Sequence, residues 1–275
     1  MGLFLCAGCT RPTPAARPGT RVVSLAPSLT EIICVVGGQD MLVGRTSACD
    51  FPPDVSRVKV VGGFGAPSME LLTAVSPTLV FEVDLGDAAI GRKIDNLGIR
   101  RAHVTCRMLD DIPAAIENVG SLINRKDAAQ AVADDLKQKI AALRGRAASE
   151  TNRPSVYVEI WHDPIMTVGT NAFLSELVYL AGGRNIGDEV AKDYFQASSE
   201  WVVSRNPDII LCLYASNKGG AKKEVMGRNG WESVKAVSRG TVYDGLNNDL
   251  ILRPGPRVLQ SIDLLRKCIQ PTGSP

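Results

Sequence analysis

The side chains able to carry catalytic or metal chemistry are few in this chain and lie far apart. Its two histidines, His103 and His162, have no neighbouring ligand at the spacing of a zinc site. The glycine-rich run 62–65 lacks the pattern of a P-loop or of a dinucleotide-binding turn, and no nucleophile elbow is present. The sequence therefore predicts no catalytic residue, no resident cofactor and no metal site, and it favours a binding protein over an enzyme.

Aromatic side chains are more informative, because they make up only 5% of the chain and several stand in turns beside predicted strands. Phe64, Trp161 and Tyr194 are the three that we select. Rings at such positions can stack on a large, flat or apolar ligand in a cleft. The alternative is that each is an ordinary aromatic residue half-buried beneath a loop. As a group, they are predicted to bind a ligand.

Charged residues mark two further features. Glu70 and Glu200 each stand in the first turn of a predicted helix, where a carboxylate stabilises the helix dipole. Alternatively, they are two matched acidic protrusions for a partner with basic pockets. Arg253 and Arg257 flank the rigid turn 254–256. We expect Arg257 to cap or pair locally, and Arg253 to reach a carboxylate or amide of the ligand or else to form a surface salt bridge.

Predicted strands and helices alternate along most of the chain. The capping-box pattern Ser28–Glu31 opens an apolar helix after a buried strand at 21–26. Such alternation indicates an α/β fold, in which helices cover a parallel sheet. The segment Arg125–Ala148 differs, because its apolar residues follow one helix face throughout. It predicts a single helix roughly 35 Å long at ~1.5 Å per residue.

The second half of the chain repeats two motifs of the first. Glu31 and Glu176 precede a glycine pair by the same interval, and Glu70 and Glu200 precede a proline by the same interval. The repeat predicts two similar Rossmann-like lobes, each a parallel sheet with flanking helices, joined by the long helix. A ligand cleft is then expected between the lobes. The expected divisions are a leader and tether, an N-terminal lobe, a linker helix and a C-terminal lobe, at residues 1–20, 21–123, 124–150 and 151–275.

The N-terminal residues differ in composition from the rest. Residues 1–9 are apolar and end in Ala7-Gly8-Cys9, which resembles the lipobox of a bacterial lipoprotein, and a Pro- and Ala-rich tether follows. We expect export and lipidation at Cys9; a plain disordered N-terminus is the alternative. No apolar run approaches the ~20 residues of a transmembrane helix, so membrane association is expected only through the lipid.

The cysteine count limits the number of disulfides, and the net charge bears on nucleic-acid binding. If Cys9 is lipidated, five of the seven cysteines remain, so at most two disulfides form and one thiol stays free. The formal net charge is +2, from 31 Lys and Arg against 29 Asp and Glu, which gives no reason to expect nucleic-acid binding.

Several segments resemble the periplasmic vitamin B12 and iron–siderophore binding proteins of ABC importers, the class with a helical backbone. The resemblance covers residues 20–270 and extends to the cobalamin branch through Glu159–Trp161, Asp163-Pro164 and the turn that the two arginines flank. The segments are RVVSLAPSLTE at 21–31, CDFPP at 49–53, VGGF at 61–64, SPTLV at 76–80 and LRPGPR at 252–257.

This resemblance implies two lobes bridged by a rigid helix, little hinge motion and a ligand held between the lobes. It implies that Glu70 and Glu200 dock onto arginines of the membrane permease. It also implies that Phe64 and Tyr194 contact a corrin ring, and that Asp249 is a ligand-facing acid.

Three positions depart from the enterobacterial cobalamin protein. Ala48 and Val83 stand where that protein has aromatic residues. Ala181 stands where it has a disulfide cysteine, which leaves Cys268 without the family partner. These departures keep the identity of the chelate open.

The leading expectation is a monomeric, periplasmic or cell-surface binding protein that gives a cobalamin or another corrinoid to an ABC transporter permease. A ferric-siderophore or haem-binding protein of the same superfamily is the alternative. A two-lobed α/β enzyme is less favoured, because no activated nucleophile or acid–base pair can be named.

Overall fold

The computed structural model describes residues 19–83, 88–214 and 220–271, so residues 1–18 of the expected leader, with Cys9, lie outside the described residues. Within these ranges the strands are β1 Val22–Ser24, β2 Leu42–Arg45, β3 Gly62–Gly63, β4 Ala66–Pro67, β5 Leu79–Glu82, β6 Arg100–His103, β7 Ser155–His162, β8 Ile165–Val168, β9 Arg184–Asn185, β10 Tyr194–Gln196, β11 Ile209–Cys212 and β12 Val242–Tyr243.

The helices alternate with these strands. Two short 3₁₀ turns, Gln39–Met41 and Pro53–Arg57, flank β2. The α-helices are α1 Pro27–Val35, α2 Met69–Ala74, α3 Ala88–Asn96, α4 Asp111–Leu122, α5 Lys126–Ser149, α6 Phe173–Leu180, α7 Ser199–Arg205, α8 Gly220–Met226, α9 Lys235–Ser238, α10 Asn248–Ile251 and α11 Val258–Ile269.

Two sheets confirm the α/β fold and the internal repeat. The N-terminal sheet has the order β2-β1-β5-β6, and all its pairs are parallel. The C-terminal sheet contains the same arrangement as β9-β7-β11-β12, again parallel throughout. We call the elements from β1 to α4 the N-terminal lobe and those from β7 to α11 the C-terminal lobe. Corresponding strands of the two lobes therefore occupy corresponding places.

The C-terminal sheet carries two further strands that the purely parallel expectation did not include. β8 pairs antiparallel with β7, and β10 pairs antiparallel with β8. The reason is local: only Asp163 and Pro164 connect β7 to β8, and a connection this short can join antiparallel strands only. The extension matters for the site, because β10 carries Tyr194.

The repeated motifs occupy equivalent turns. α1 and α6 end before Gly37 and Gly182, whose φ angles of 77° and 91° lie in the left-handed region that favours glycine. α2 and α7 begin after Ser68 and Ser198, whose hydroxyls each accept a hydrogen bond from the backbone N–H three residues on.

The capping box expected at Ser28–Glu31 is wrong. α1 begins two residues earlier than a Ser28 N-cap requires, with Ala26 at the N-cap and Pro27 in the first turn, so Ser28 lies inside the helix. The Glu31 side chain is only 4% exposed and binds Arg257 instead. The Glu31 carboxylate therefore binds the distant Arg257 instead of a backbone N–H at the start of α1.

The single long helix is confirmed as α5, which spans 24 residues. It packs against both α4 and α6. The largest apolar cluster is continuous through both lobes and this helix, and includes Ile116, Leu136 and Leu177. Because a close-packed interior resists deformation, this shared core favours a fixed separation of the lobes.

Cysteines are unpaired throughout the described residues. Burial raises the pKa of Cys212 to about 12 and that of Cys34 to about 11, so both are neutral thiols at physiological pH. Cys268 is free, and Ala181 is fully buried. No helix in the described part of the chain combines the length and apolar character needed to cross a membrane.

Candidate functional site

A cleft of about 760 Å³ opens between the two lobes. Its volume lies in the range typical of small-molecule sites, which runs from about 300 to about 1,000 Å³. The described residues that line it come from both lobes: Ala26, Pro27, Ser28, Ala48, Phe64, Val83, Cys106, Arg107, Tyr194, Asp249, Leu252, Arg253 and Pro254. We call this the inter-lobe cleft.

The N-terminal wall of the cleft is built from residues that follow parallel strands. Ala26 follows β1, Val83 follows β5 and Cys106 follows β6, at the carboxyl ends where α/β folds bind ligands. The Cys106 thiol donates to the Pro254 carbonyl at 3.1 Å. Burial, with a smaller effect from the charge of Asp111, raises the pKa of Cys106 to about 12. This thiol is therefore a neutral packing group and a poor nucleophile.

Phe64 stands at the tip of the β3–β4 hairpin. The hairpin requires glycine at Gly62, where φ is 138° and a Cβ atom would lie 2.6 Å from the Ala66 carbonyl oxygen. Gly65 also has a positive φ, of 71°. The glycine-rich run that carries no phosphate-binding pattern thus forms a tight turn, and the Phe64 side chain at its tip is 56% exposed.

Tyr194 reaches the cleft from the C-terminal lobe on β10. That strand is held by pairing of Tyr194 with Val168 on β8. Burial, aided by the charge of Asp193, raises the pKa of Tyr194 above its ordinary value. The phenol is therefore uncharged at physiological pH and offers a flat ring with one hydrogen-bonding end.

Trp161 does not appear among the cleft-lining residues, although the other four predicted ligand residues do. It lies at the end of β7, is 47% exposed, and donates its indole N–H to the Asp163 carbonyl at 2.8 Å. Its ring lies beside that of His162, which in turn stacks on Tyr214. Trp161 therefore belongs to a separate row of rings on the C-terminal lobe.

The floor of the cleft includes a segment that we call the C-terminal strap, residues 247–257. Arg253 on this strap binds Asp50 at 2.5 Å, Asp249 at 2.8 Å and the Ala48 carbonyl at 3.2 Å. Burial disfavours the charged guanidinium, but the hydrogen bond to Asp50 and the nearby carboxylates outweigh it and raise the pKa of Arg253. The group predicted to reach a ligand carboxylate is thus fully charged and already paired with protein carboxylates.

The second arginine of the C-terminal strap, Arg257, forms an ion pair with a residue of the N-terminal lobe. Arg257 binds both carboxylate oxygens of Glu31, at 2.6 and 2.8 Å, and its guanidinium lies 3.8 Å from the centre of the Phe51 ring. The expectation of local pairing is wrong, because the partner lies 226 residues earlier in the chain. The strap of the C-terminal lobe is therefore fastened to the N-terminal lobe.

The two acidic helix starts are exposed, as the repeat predicted. Glu70 and Glu200 stand in the first turns of α2 and α7, one on each lobe. Hydrogen bonds from its own backbone N–H and from Ser198 lower the pKa of Glu200, so this carboxylate is charged at neutral pH. Leu71, next to Glu70, is 46% exposed.

Sequence reasoning missed several residues of the site: Pro27 and Cys106, which line the cleft, and Asp50, which binds the cleft-lining Arg253. A usable signal existed for the first two, since they stand just beyond strands β1 and β6, and ligands of α/β folds bind beyond strand carboxyl ends. Asp50 had no such signal, because its role depends on Arg253, which is about 200 positions away. Among the described residues, no group of His, Cys, Asp and Glu is placed to hold a metal ion.

Comparison with known proteins agrees with this architecture. The profile of the periplasmic binding protein family matches residues 22–247. The vitamin B12-binding protein of Vibrio parahaemolyticus is 28% identical over 91% of this chain and 89% of its own length.

Two solved structures show how the fold is shared. The periplasmic vitamin B12-binding protein of Vibrio cholerae superposes with a TM-score of 0.75 at 26% identity, covering 92% of this chain and 97% of that one. The haem-binding protein RhuT of Roseiflexus superposes with a TM-score of 0.79 at 25% identity, covering 91% and 99%. The chain belongs to the periplasmic binding protein family: it is a substrate-binding protein of the ABC-transporter type and not an enzyme, and this membership implies a periplasmic or extracellular location.

Proposed function

We propose that this protein captures a corrinoid, a cobalamin-like chelate, in the inter-lobe cleft and delivers it to the permease of an ABC importer. The observation that carries the proposal is the composition of the cleft. An exposed Phe64 from the N-terminal lobe and an exposed Tyr194 from the C-terminal lobe line one cavity with mostly apolar neighbours. Such walls suit a broad ring system that buries apolar area against aromatic faces.

A ferric siderophore or haem is the second candidate. The chain superposes on a haem-binding protein about as well as on a vitamin B12-binding protein, so the fold alone favours neither ligand. The chemistry of the cleft weighs against the second candidate. Haem and the anionic ferric chelates, such as the catecholates, carry negative groups that arginine clusters recognise, whereas Arg253 is already bound to carboxylates of the protein. The named relative in Vibrio parahaemolyticus also supports the corrinoid.

The proposal is tested by titrating the full chain with cyanocobalamin, dicyanocobinamide, haemin and a ferric catecholate, by calorimetry and visible absorbance. We expect a Kd well below 10 μM for at least one corrinoid, and weaker binding of the iron chelates. A Kd of 10 μM corresponds to only ~7 kcal/mol, so failure of both corrinoids to bind more tightly than this contradicts the proposal.

Delivery to the permease is proposed to depend on Glu70 and Glu200. Replacing both with lysine should leave corrinoid affinity unchanged, because neither lines the cleft, while cellular uptake falls about tenfold or more through like-charge repulsion at the docking site. The matched control is Glu232→Lys, at an exposed glutamate outside both docking helices. A loss of ligand affinity in the double variant, or equal uptake loss in the control, contradicts the docking assignment.

The remaining parts of the proposal are the lipid anchor, the oligomeric state and the lobe boundaries. We propose lipidation at Cys9, a monomeric state, and lobe boundaries at 21–123 and 151–275 with the linker helix between them. The support is the residue pattern at 7–9 and the position of α5.

A further inference from the structure

The charges around the cleft floor form a compact cluster with an acidic balance. It consists of Glu31, Asp50, Asp249, Arg253 and Arg257, and we call it the strap cluster. Three carboxylates share two guanidinium groups, so the cluster carries one net negative charge. A further arginine outside this cluster, Arg107, also lines the cleft; it is exposed and makes an interaction of its own.

The two arginines of the strap cluster have little capacity left for a ligand. The Arg253 side chain is 13% exposed and Arg257 is 16% exposed. The terminal nitrogens of Arg253 already meet Asp50 and Asp249. A ligand carboxylate would have to displace one of these partners, and the displaced carboxylate would remain nearby as a like charge.

Two of the three acids of the cluster, in contrast, are accessible. The side chains of Asp50 and Asp249 are 57% and 66% exposed, and Asp249 lines the cleft. Carboxylates accept hydrogen bonds and cannot donate them when ionised. An amide N–H of a ligand therefore finds an acceptor here, whereas a carboxylate at the same place meets repulsion.

We propose that the strap cluster makes the cleft select chelates whose periphery is neutral or hydrogen-bond-donating, and that Asp50 sets this selectivity by occupying Arg253. This inference rests on the proposed function for its choice of site and extends it to the charge class of the ligand. Asp50 does not line the cleft, so it acts as a positioning residue through Arg253.

The test uses two pairs of probes whose members share one ring system and differ in the charge of their peripheral groups. The first is cyanocobalamin against its monocarboxylic acid, in which one peripheral amide is replaced by a carboxylate. The second is haem dimethyl ester against haem with free propionates. For the full wild-type chain we expect the neutral member of a pair to bind about tenfold more tightly, a modest like-charge effect for a partly solvated site.

Variants of Asp50 then distinguish the effect of the cluster's charge on binding from an effect on its structure. Asp50→Asn removes one of the two carboxylates bound to Arg253 and should reduce the neutral-to-acid affinity ratio at least about threefold, while affinity for the neutral probe changes little. Asp50→Glu should restore the wild-type ratio. Asp54→Asn is the matched control, because Asp54 pairs only loosely with Arg57 at 3.7 Å and both side chains are 86% exposed.

Each outcome decides the inference. It is overturned if wild type binds the acids as tightly as the neutral probes, or if Asp50→Asn leaves the ratio unchanged. If neither corrinoid binds below 10 μM, the proposed function fails while the haem pair still decides the charge rule. If none of the four probes binds, both proposals fall. An unchanged urea midpoint for Asp50→Asn, whose side chain is mostly solvated, shows that folding is intact.

Discussion

Replacement of Arg228 with alanine is expected to lower the free energy of unfolding by about 3–5 kcal/mol, the cost typical of leaving a buried charge without its partner. Arg228 binds both oxygens of Glu159, at 2.6 and 2.7 Å, and the Glu159 side chain is completely buried. The guanidinium also lies 4.8 Å from the centre of the Trp231 ring, so its packing is lost as well. Urea denaturation followed by circular dichroism measures the effect.

Two further variants are needed to interpret the result for Arg228→Ala. Arg57→Ala removes an arginine from an ion pair that is 86% exposed on both sides, and should change stability by less than about 1 kcal/mol. The double variant Glu159→Gln and Arg228→Met removes both charges and should recover most of the loss. A wild-type urea midpoint for Arg228→Ala would show that Glu159 does not depend on this cation.

Alanine at Phe64 or at Tyr194 is expected to weaken corrinoid binding about 30-fold each, equivalent to ~2 kcal/mol, the size typical of an aromatic anchor at an interface. Both rings are about half exposed without ligand, so their removal should cost little folding stability. The loss appears only when a ligand covers them. Calorimetric titration with cyanocobalamin measures each Kd.

Tyr179→Ala supplies the matched control for Tyr194→Ala. Tyr179 is 42% exposed, close to the 47% of Tyr194, but it lies outside the cleft beneath Arg153. Its removal should leave the Kd within about twofold. Equal losses for the two tyrosines would mean that binding does not depend on the cleft surface.

Features set by short-range pattern could be predicted from the sequence. α5 follows from an apolar face that keeps helical spacing over its whole length. The repeat follows from equal intervals around Gly37 and Gly182, since both helices need a left-handed residue at the same point. Phe64 and Tyr194 could be selected because aromatic residues are few in this chain, although Tyr194 lies on β10 and not in a turn.

Features set by long-range contact could not be predicted. Glu31 fits a capping box in sequence, yet Arg257 binds it after folding brings the strap to the N-terminal lobe. Local propensity loses here because two hydrogen bonds to a charged partner outweigh one to a backbone N–H. Trp161 is a different case, since it was grouped with the cleft on its residue type alone, whereas a local hydrogen bond in the turn into β8 holds it beside His162.

The C-terminal strap and the long helix α5 together limit how far the two lobes can move apart. α5 joins the lobes through the continuous core, and the strap joins them a second time through Arg253 and Arg257. Two connections of different kind, one apolar and one ionic, restrict opening more than a single hinge segment would. We therefore expect a largely preformed cleft, consistent with rapid capture of a rigid chelate.

The central claim is that a corrinoid occupies the inter-lobe cleft, and the cobalt atom of the ligand offers a direct test. Crystals grown with cyanocobalamin and measured at the cobalt absorption edge should show one anomalous peak inside the cleft, between the lobes that carry Phe64 and Tyr194. A cobalt peak at any other surface, or a fully occupied cleft without cobalt, would contradict the account.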